Sequence, residues 1–340
     1  MVRRPWFRGR IVFLRCWFLL YGLRSSAVNE QGKIRLESLV SAFTTELRKV
    51  LVEKISPGPL TYGFEYELLP TRRLTPKGID KIAQCLLRLG YRPQKEGEFL
   101  ALNGLHLTFE PGGQLEYGSP PLFAFDDEAL AALLEQLRET NRCIEAFCGV
   151  KYRGVAYLPG RETAKLCLVS RRYLDMHALF SDNGGRGREM MKGTASIHFH
   201  VRIRCLAEML PLYRLLAELA AEAPFGMGPE RRKIWDATEE SRCGLPPLNL
   251  CANENELLAG MVRHALKALD LRYRQPFFMM RNITFADFLL HLTTIFTDVR
   301  LNLKGPTLEL RTPDSLPPEH FSALWRRFVM VVERNMTTEI

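Results

Sequence analysis

Residues 107–120, LTFEPGGQLEYGSP, combine strand-forming side chains with a Pro-Gly-Gly interruption. The aromatic and leucine residues on either side favour β-structure, and the proline and glycines impose an irregular bend between them. Because the bend redirects the chain, we expect Glu110, Gln114 and Glu116 to converge on one place. Unpaired buried charge is costly, so two carboxylates and an amide are difficult to explain as core packing. They are typical of oxygen ligands for Mg²⁺ or of contacts to a polar substrate.

Three other segments share with this one a pair of polar side chains two residues apart on a predicted strand, where both face the same side. The four pairs are Glu65/Glu67, Gln114/Glu116, His198/His200 and Glu309/Arg311. The first pair, taken alone, is better interpreted as the solvated face of an edge strand. Taken together, four strands whose other faces are mainly apolar predict an antiparallel sheet. Its apolar face would pack on helices, and its polar face would line a concave site.

Apolar residues at helical spacing, with capping residues at several starts, predict the helices that back this sheet. They are expected over residues 36–54, 75–90, 127–148, 206–223, 257–269, 284–296 and 319–335, with a further helix beginning near residue 171. No internal repeat or convincing linker divides the chain. We therefore expect an α+β fold with a single catalytic domain over residues 31–340, preceded by a basic and apolar tail over residues 1–30.

The composition limits the classes of function that need to be considered. Of the net charge of +9, six units come from arginines among the first 24 residues, so the basic balance indicates a basic tail and an anionic ligand. No interleaved aromatic and basic platform is visible, and no nucleic-acid partner is expected. Residues 11–23 are apolar but too short and interrupted to span a membrane. They are interpreted as sequence upstream of the true start, with a poor signal sequence or a membrane-surface helix as alternatives.

Known short motifs for other chemistries are missing from the sequence. The eight cysteines show neither CxxC pairs nor metal-ligand spacing, which indicates thiols in a reducing compartment and a cytoplasmic protein. The loop SDNGGRGR at residues 181–188 could hold a phosphate through backbone N–H groups, although a plain flexible loop is the better interpretation of it alone. Neither a P-loop nor a dinucleotide-binding motif occurs.

The predicted polar face brings together acids, at least one histidine and at least one arginine, which favours phosphoryl chemistry. Carboxylates gather Mg²⁺, Mg²⁺ accompanies nucleotide phosphates, and arginine neutralises charge on a transferring phosphoryl group. A Ser/His/Asp hydrolase would need a nucleophile elbow, which the sequence lacks. A glycoside hydrolase would not require so many acids on separate strands.

The order of several segments resembles that of the plant- and proteobacterial-type glutamate–cysteine ligases, a group that includes ergothioneine-pathway ligases and other carboxylate–amine ligases. The segments are GFEYE at 63–67, EPGGQLE at 110–116, RY at 172–173 through MM at 190–191, IW at 234–235 through RCG at 242–244, and HLTTIF at 291–296 through VRL at 299–301 to ELR at 309–311. The resemblance extends from about residue 62 to residue 314. The EPGGQLE and HLTTIF segments are its specific parts.

The resemblance implies a glutamine-synthetase-like catalytic domain, a funnel of antiparallel strands backed by helices, that uses ATP and Mg²⁺. The family activates the γ-carboxyl of glutamate as an acyl phosphate, which an amine such as cysteine then attacks. By position, the implied metal ligands are Glu65, Glu67, Glu116, His198 and Glu309. The implied substrate-site residues are Glu110, Gln114, Thr194, His200 and Arg242, with Arg242 on a substrate carboxylate. Arg311, with Glu309, would contact the nucleotide phosphates, and the implied catalytic residues are Glu110, Arg242 and Arg311.

The chain departs from the family's usual sequence at two places, and both bear on the substrates. Residues 193–202, GTASIHFHVR, stand where the family often has RTCTVQVNLD, and the loop at 184–188 also differs. The set of implied metal ligands is intact, which argues against an inactive protein. The leading hypothesis is a γ-glutamyl ligase with cysteine as the acceptor. The alternatives are a ligase for another amine in a specialised biosynthetic pathway, and a non-catalytic anion- or nucleic-acid-binding protein on the same fold.

Overall fold

The computed structural model describes residues 30–95, 97–182 and 185–336. The tail predicted over residues 1–30 lies outside these ranges except for its last residue, as do residues 183 and 184 of the predicted glycine-rich loop. The described residues form a mixed α and β fold with a large antiparallel sheet. This agrees with the fold class that the four polar pairs predict.

A ten-stranded sheet forms the centre of the described structure, beside a separate two-stranded parallel pair of β9 and β10. The strands are β1 (Thr61–Pro70), β2 (Arg92–Pro93), β3 (Glu98–Leu100), β4 (His106–Phe109), β5 (Leu115–Gly118), β6 (Leu122–Phe123), β7 (Tyr152–Arg153), β8 (Ile197–Arg202), β9 (Cys243–Gly244), β10 (Phe296–Thr297), β11 (Val299–Asn302) and β12 (Thr307–Leu310). The order along the large sheet is β11-β12-β8-β1-β5-β4-β3-β2, and β6 and β7 pair with the two ends of β1.

Strand β1 lies in the middle of the sheet, with β8 on one side and β5 on the other. In its register Glu65 lies opposite His198, and Glu67 lies opposite Glu116. The interpretation of Glu65 and Glu67 as the solvated face of an edge strand is therefore wrong. A period of two shows which face of a strand is polar, but it does not show how many neighbours the strand has.

Strands β4 and β5 form an antiparallel hairpin around the Pro-Gly-Gly bend, with Phe109 opposite Leu115. Gly113 has a φ of 85°, in the left-handed region that favours glycine. At Gly112 the reason for glycine is space, because a Cβ atom there would lie 2.6 Å from the Cα and the carbonyl oxygen of Lys192. The bend is therefore both irregular and packed directly against the chain segment that carries Lys192.

Ten α-helices occur in the described ranges. They are α1 (Glu30–Lys54), α2 (Pro76–Arg88), α3 (Asp127–Cys148), α4 (Arg171–Asp182), α5 (Gly187–Gly193), α6 (Met209–Ala221), α7 (Pro229–Asp236), α8 (Glu254–Lys267), α9 (Phe285–Leu292) and α10 (Pro318–Met336). The side chains of Thr75 and Asp126 accept the N-cap hydrogen bonds of α2 and α3. Pro211 lies in the first turn of α6, where a missing N–H is tolerated.

The apolar face of the sheet packs against α10. Phe64 of β1 and Phe199 of β8 are 1% and 0% exposed. The ring centroid of Phe64 lies 4.8 Å from that of Phe321, and Phe199 stacks at 4.5 Å on Phe328. Because successive side chains of a strand point to opposite faces, burying these rings directs the intervening polar side chains to the other face of the sheet.

Two further features concern the predicted cellular setting. The seven cysteines in the described ranges are all free thiols. Among the helices described, none combines the length and the apolar character needed to cross a bilayer. The predicted cytoplasmic location stays a prediction.

Candidate functional site

A cavity of about 480 Å³ lies on the polar face of the sheet. Its floor comes from β1, β4, β5 and β8, and its walls come from several helices and from β11. Its acidic and basic lining residues are Lys54, Glu65, Glu67, Glu98, Glu110, Glu116, Arg172, His198, Arg300, Lys304 and Arg311. This volume and this number of convergent polar groups are typical of a site for small molecules.

Hydrogen bonds between β1 and the start of β8 position the first two carboxylates. An oxygen of Glu65 lies 2.6 Å from Nδ1 of His198. One oxygen of Glu67 accepts hydrogen bonds from the backbone N and the Oγ of Ser196, at 2.7 and 2.9 Å. The same Oγ lies 2.8 Å from Nε2 of His198. The four side chains therefore form one connected network along the pairing of the two strands.

Glu110 and Glu116 extend this group across the sheet. Burial, together with repulsion from Glu67 and Glu65, raises the pKa of Glu110 to about 8. Burial and repulsion from Glu65, Glu110 and Glu67 raise the pKa of Glu116 well above its ordinary value. We call Glu65, Glu67, Glu110 and Glu116 the acidic cluster. Each carboxylate of the cluster makes ionisation of the others less favourable. A bound cation would stabilise the ionised form of the cluster.

Histidines offset part of this repulsion on the β8 side. Burial alone would raise the pKa of Glu65, but His200 and His198 hold it well below its usual range. Burial lowers the pKa of His198 and Arg311 lowers it further, which favours the neutral imidazole that metal ions bind. A neutral His198 could act as a nitrogen ligand beside the carboxylates when a metal ion replaces its contact with Glu65 at Nδ1 or with Ser196 at Nε2.

In the described part of the chain, two sets of three side chains have ligand atoms within 4.8 Å of one another, and both include Glu65. One set is Glu65, Glu116 and His198, and the other is Glu65, His200 and Glu309. Carboxylate oxygens with at most one imidazole suit a hard divalent cation such as Mg²⁺. The donor set and the raised pKa values of Glu110 and Glu116 therefore fit the metal that the sequence implies.

Glu309 is fully buried and is compensated by cations of the protein itself. Its Oε2 accepts hydrogen bonds from Nε of Arg300 and from Nη1 of Arg311, both at 2.9 Å, and Asn302 donates to Oε1 at 2.5 Å. Burial would raise the pKa of Glu309, but Arg300 and His200 lower it to about 2. A metal ion at this carboxylate would have to compete with two guanidinium groups. The second set is thus the weaker candidate for a metal site.

Gln114 and Thr194 line the cavity, but their side chains are engaged in holding the hairpin and α5 together. The amide nitrogen of Gln114 lies 3.3 and 3.2 Å from the carbonyl oxygens of Met191 and Thr194, and its oxygen accepts from the backbone N of Gly112 at 2.9 Å. The hydroxyl of Thr194 donates to the carbonyl oxygen of Met190 at 2.7 Å. The structure thus gives both residues a supporting role beside the site.

The structure does not bring Arg242 to the cavity. Its side chain is 0% exposed, and its guanidinium donates to Oγ1 of Thr294 at 2.5 Å and to the carbonyl oxygen of Leu269. A carboxylate oxygen of Glu239 lies 3.1 Å from its Nε. Because these partners surround the guanidinium, we do not retain Arg242 as a clamp for a substrate carboxylate. A buried arginine and a ligand-binding arginine look the same in sequence.

Four basic residues that line the cavity were not among the predicted site residues: Lys54, Arg172, Arg300 and Lys304. Arg300 belongs to β11, where Val299 and Leu301 are buried on the opposite face, so the period of two that marked the other strands could have identified it. Lys54 is the last residue of α1, and no motif distinguishes it from other lysines of that helix.

Apolar side chains line another part of the cavity. They are Met176, Met190, Met191, Trp235, Leu289, Leu292 and Phe296. Trp235 is 7% exposed, and its Nε1 has no hydrogen-bond partner among the described residues. Methionine and aromatic side chains give this region a polarisable surface. Such a surface suits a ligand with a small thiol-containing or apolar side chain.

The sequence of the chain is similar to the sequences of glutamate–cysteine ligases. The sequence profile of the Glutamate-cysteine ligase family 2 (GCS2) matches residues 61–339. The chloroplastic glutamate–cysteine ligase of Medicago truncatula is 26% identical over 258 residues, which cover 65% of this chain and 47% of the relative. Glutamate–cysteine ligase EgtA of Mycobacterium tuberculosis is 25% identical over 279 residues, which cover 70% of this chain and 61% of the relative.

The chloroplastic glutamate–cysteine ligase of Arabidopsis thaliana is 25% identical over 310 residues, which cover 78% of this chain and 55% of the relative. The chain thus spans between about half and three fifths of the length of these relatives. The profile match contains every described strand and the whole acidic cluster. The chain therefore belongs to glutamate–cysteine ligase family 2.

Proposed function

We propose that the protein is an ATP-dependent ligase that joins the γ-carboxyl group of glutamate to an amine, with cysteine as the default acceptor. The observation that carries the proposal is the acidic cluster, in which burial and repulsion raise the pKa of Glu110 and Glu116 beside a cavity that also contains basic side chains. Divalent cations would stabilise such a cluster, and a polyphosphate needs both those cations and basic groups.

The proposal includes a glutamine-synthetase-like funnel within one catalytic domain over residues 31–340. It is supported by the antiparallel order of the strands, by a polar face that lines the cavity, and by the packing of α10 on the apolar face. Since the chain is shorter than the relatives that it matches, their activity is transferred to it here as a proposal.

The proposed reaction proceeds in two steps. A γ-carboxylate oxygen of glutamate attacks the terminal phosphorus of ATP, forming an acyl phosphate and releasing ADP. The amine nitrogen then attacks the carbonyl carbon, and the bond to phosphate breaks, so that inorganic phosphate leaves with the electron pair. The nitrogen loses its extra proton. Mg²⁺, when bound, neutralises charge on the phosphates and helps to orient them.

The residues of the chain divide these tasks by position. Glu65, Glu116 and His198 would hold the metal ion, with Glu67 beside them. Arg311 lines the cavity next to His198, with Nη1 3.4 Å from Nδ1, and would face the transferred phosphoryl group. This assigns to the polar face of the sheet the binding and orientation of the phosphate.

Glu110 would accept the proton that the attacking amine releases. Its pKa of about 8 lies near neutral pH, where a carboxylate can both take up and pass on a proton. It lines the cavity immediately after β4, on the side of the sheet away from Arg300 and β11. The amine is therefore expected to enter at the acidic side of the cavity.

The methionine and aromatic region supports cysteine as the default acceptor, because a thiol side chain would find polarisable contacts there. A different amine with a small apolar side chain would also fit. The departures at residues 184–188 and 193–202 favour including such amines in any test.

The test is Mg²⁺-dependent release of ADP by the full chain, measured with glutamate, with and without cysteine. ADP that requires both amino acids, together with a γ-glutamyl product by mass spectrometry, supports the proposal. Glu116→Gln should abolish turnover, whereas Glu145→Gln, at an exposed position of α3, should leave it unchanged.

ADP that requires glutamate but not cysteine would keep the ligase chemistry and redirect the search to other amines. Absence of turnover with every acid and amine pair would contradict the proposal and favour a non-catalytic protein on this fold. Salt-sensitive binding of nucleic acid without ATP turnover would favour the nucleic-acid-binding alternative.

A further inference from the structure

Charges in the cavity are separated along the order of the strands. The acidic cluster belongs to the central strands β1 and β5 and to the end of β4, whereas Arg300 lies on β11, the strand at one edge of the sheet. Lys304, in the turn after β11, and Lys54, at the end of α1, line the cavity as well. We call Lys54, Arg300 and Lys304 the basic rim. A ligand that spans the cavity would therefore pass from the acidic cluster, beside which Arg172 and Arg311 also lie, to a rim whose ionisable side chains are all basic.

The three cations of the basic rim are not equally available to a ligand. Arg300 is bound to Glu309 through Nε and Nη2, at 2.9 and 2.8 Å, so its charge is largely compensated. Within residues 30–95, 97–182 and 185–336, neither Lys54 nor Lys304 lies within ion-pairing distance of a carboxylate. The uncompensated charge of the rim therefore resides on the two lysines.

Lys54 is held in place by its surroundings. Its Nζ donates a hydrogen bond to the carbonyl oxygen of Leu303 at 2.5 Å, which uses one of its three protons. The preceding turns of α1 are anchored by Leu47 and Leu51, both 0% exposed. At the other end of α1, Arg35 donates to the carbonyl oxygen of Phe278 at 2.7 Å. Lys54 is exposed, and its hydrogen bond to Leu303 places its ammonium group at the lining of the cavity.

Helix α1 precedes the residues that match the family profile, which begins at residue 61. A side chain from outside the matched region therefore contributes to the cavity that the matched region forms. Residues 61–339 alone therefore do not form the whole lining of the cavity.

We propose that Lys54 is a binding residue for the phosphate chain of ATP, acting with Lys304 at the basic rim. This inference rests on the proposed function and extends its site to α1. A triphosphate carries several negative charges, and metal ions at the acidic cluster can neutralise only part of them. An uncompensated ammonium at the basic rim supplies further charge.

The alternative is that Lys54 has a purely structural role and holds the end of α1 against the turn after β11 through its hydrogen bond to Leu303. Loss of a purely structural contact would lower the folding stability and would change the affinities for all substrates to the same extent. A phosphate contact would affect the nucleotide selectively. The two roles therefore differ in what a charge-removing substitution changes.

The experiment measures equilibrium binding of ATP with Mg²⁺ to the full chain, and separately the KM and kcat for ADP release. Lys54→Met removes the charge and keeps a long apolar side chain. It should weaken ATP binding and raise the KM for ATP by roughly 3- to 10-fold, the range for one partly exposed charged contact. The KM for glutamate and kcat should each change by less than about twofold. Lys54→Arg should restore most of the affinity.

Lys49→Met is the matched control, because Lys49 lies five residues earlier on α1 and pairs with Glu46 at 2.8 Å, away from the cavity lining. Unchanged ATP binding in Lys54→Met, or an equal loss of affinity for all substrates with a lowered melting temperature, would overturn the inference. Selective loss of ATP affinity in a protein that turns over no acid and amine pair would uphold it and instead refute the proposed ligase activity.

Discussion

Removing the charge of Glu309 should destabilise the fold, whereas removing the charge of Glu116 should not. Arg300 and His200 lower the pKa of Glu309 from 4.5 to about 2, despite burial. At about 1.4 kcal/mol per pH unit, this shift corresponds to roughly 3 kcal/mol at neutral pH. That value agrees with the typical cost of about 3–5 kcal/mol for removing one partner of a buried ion pair. Glu309→Gln should therefore lower the free energy of unfolding by about 3 kcal/mol.

Glu116→Gln provides the matched comparison, because the same change of carboxylate to amide is made in the same cavity. Burial and its acidic neighbours raise the pKa of Glu116, so a neutral side chain there should leave the free energy of unfolding unchanged or increase it. Both variants should be unfolded in urea with EDTA present, so that no divalent cation stabilises the wild type. Equal stability of Glu309→Gln and wild type, or equal losses in both variants, would refute the reasoning.

The same comparison has a defined pH dependence. Because the folded pKa of Glu309 is depressed, its contribution to stability is fully present above the unfolded value of 4.5. It is lost as the pH falls toward about 2. The difference in stability between wild type and Glu309→Gln should therefore be fully developed near pH 5.5, where His200 is also protonated, and should shrink below pH 4.5. A difference that keeps growing below pH 4.5 would contradict the assigned ion pairs.

Three further predictions concern the surroundings of the site. Binding of Mg²⁺ at pH 7 should release protons, since the pKa of Glu110 is about 8 in the metal-free protein, and titration calorimetry in two buffers of different ionisation enthalpy would detect it. Gly112→Ala should destabilise the protein by more than about 2 kcal/mol, because the added Cβ would lie 2.6 Å from backbone atoms of Lys192; Gly305→Ala, with open space around it, should have little effect in the same thermal unfolding assay. Arg242→Leu should lower the melting temperature through loss of buried hydrogen bonds, and a raised KM for glutamate at unchanged stability would instead support a carboxylate clamp.

Several parts of the fold and of the site follow from short-range patterns. The period of two correctly assigned the polar faces of β1, β8 and β12, because the pleat alone decides which side chains share a face. The helix starts at Thr75 and Asp126 depend on equally short-range interactions. The capping side chain accepts a hydrogen bond from a backbone N–H three residues further along the chain. The convergence of the acids also follows from these patterns. Four strands that each carry a polar pair on one face bring the pairs together when they join in one sheet.

Other parts depended on which segments meet in space. The central position of β1 arises from pairing with β5 and β8, which are distant along the chain, and no local pattern encodes the number of neighbours. The amide of Gln114 donates to a carbonyl oxygen of α5, and the buried guanidinium of Arg242 donates to the carbonyl oxygen of Leu269. Both partners belong to other segments of the chain, so no local pattern identifies these contacts.

The sequence by itself thus determined the family, the strand faces and the set of acids, since these depend on residue identity and on spacing along one strand or helix. Tertiary structure alone decided that Arg300 and Arg311 compensate Glu309 and that Glu110 and Glu116 have raised pKa values. It also placed Lys54 at the cavity. The physical reason is that electrostatic interaction and desolvation depend on distances between side chains from separate segments, which spacing along the chain does not specify.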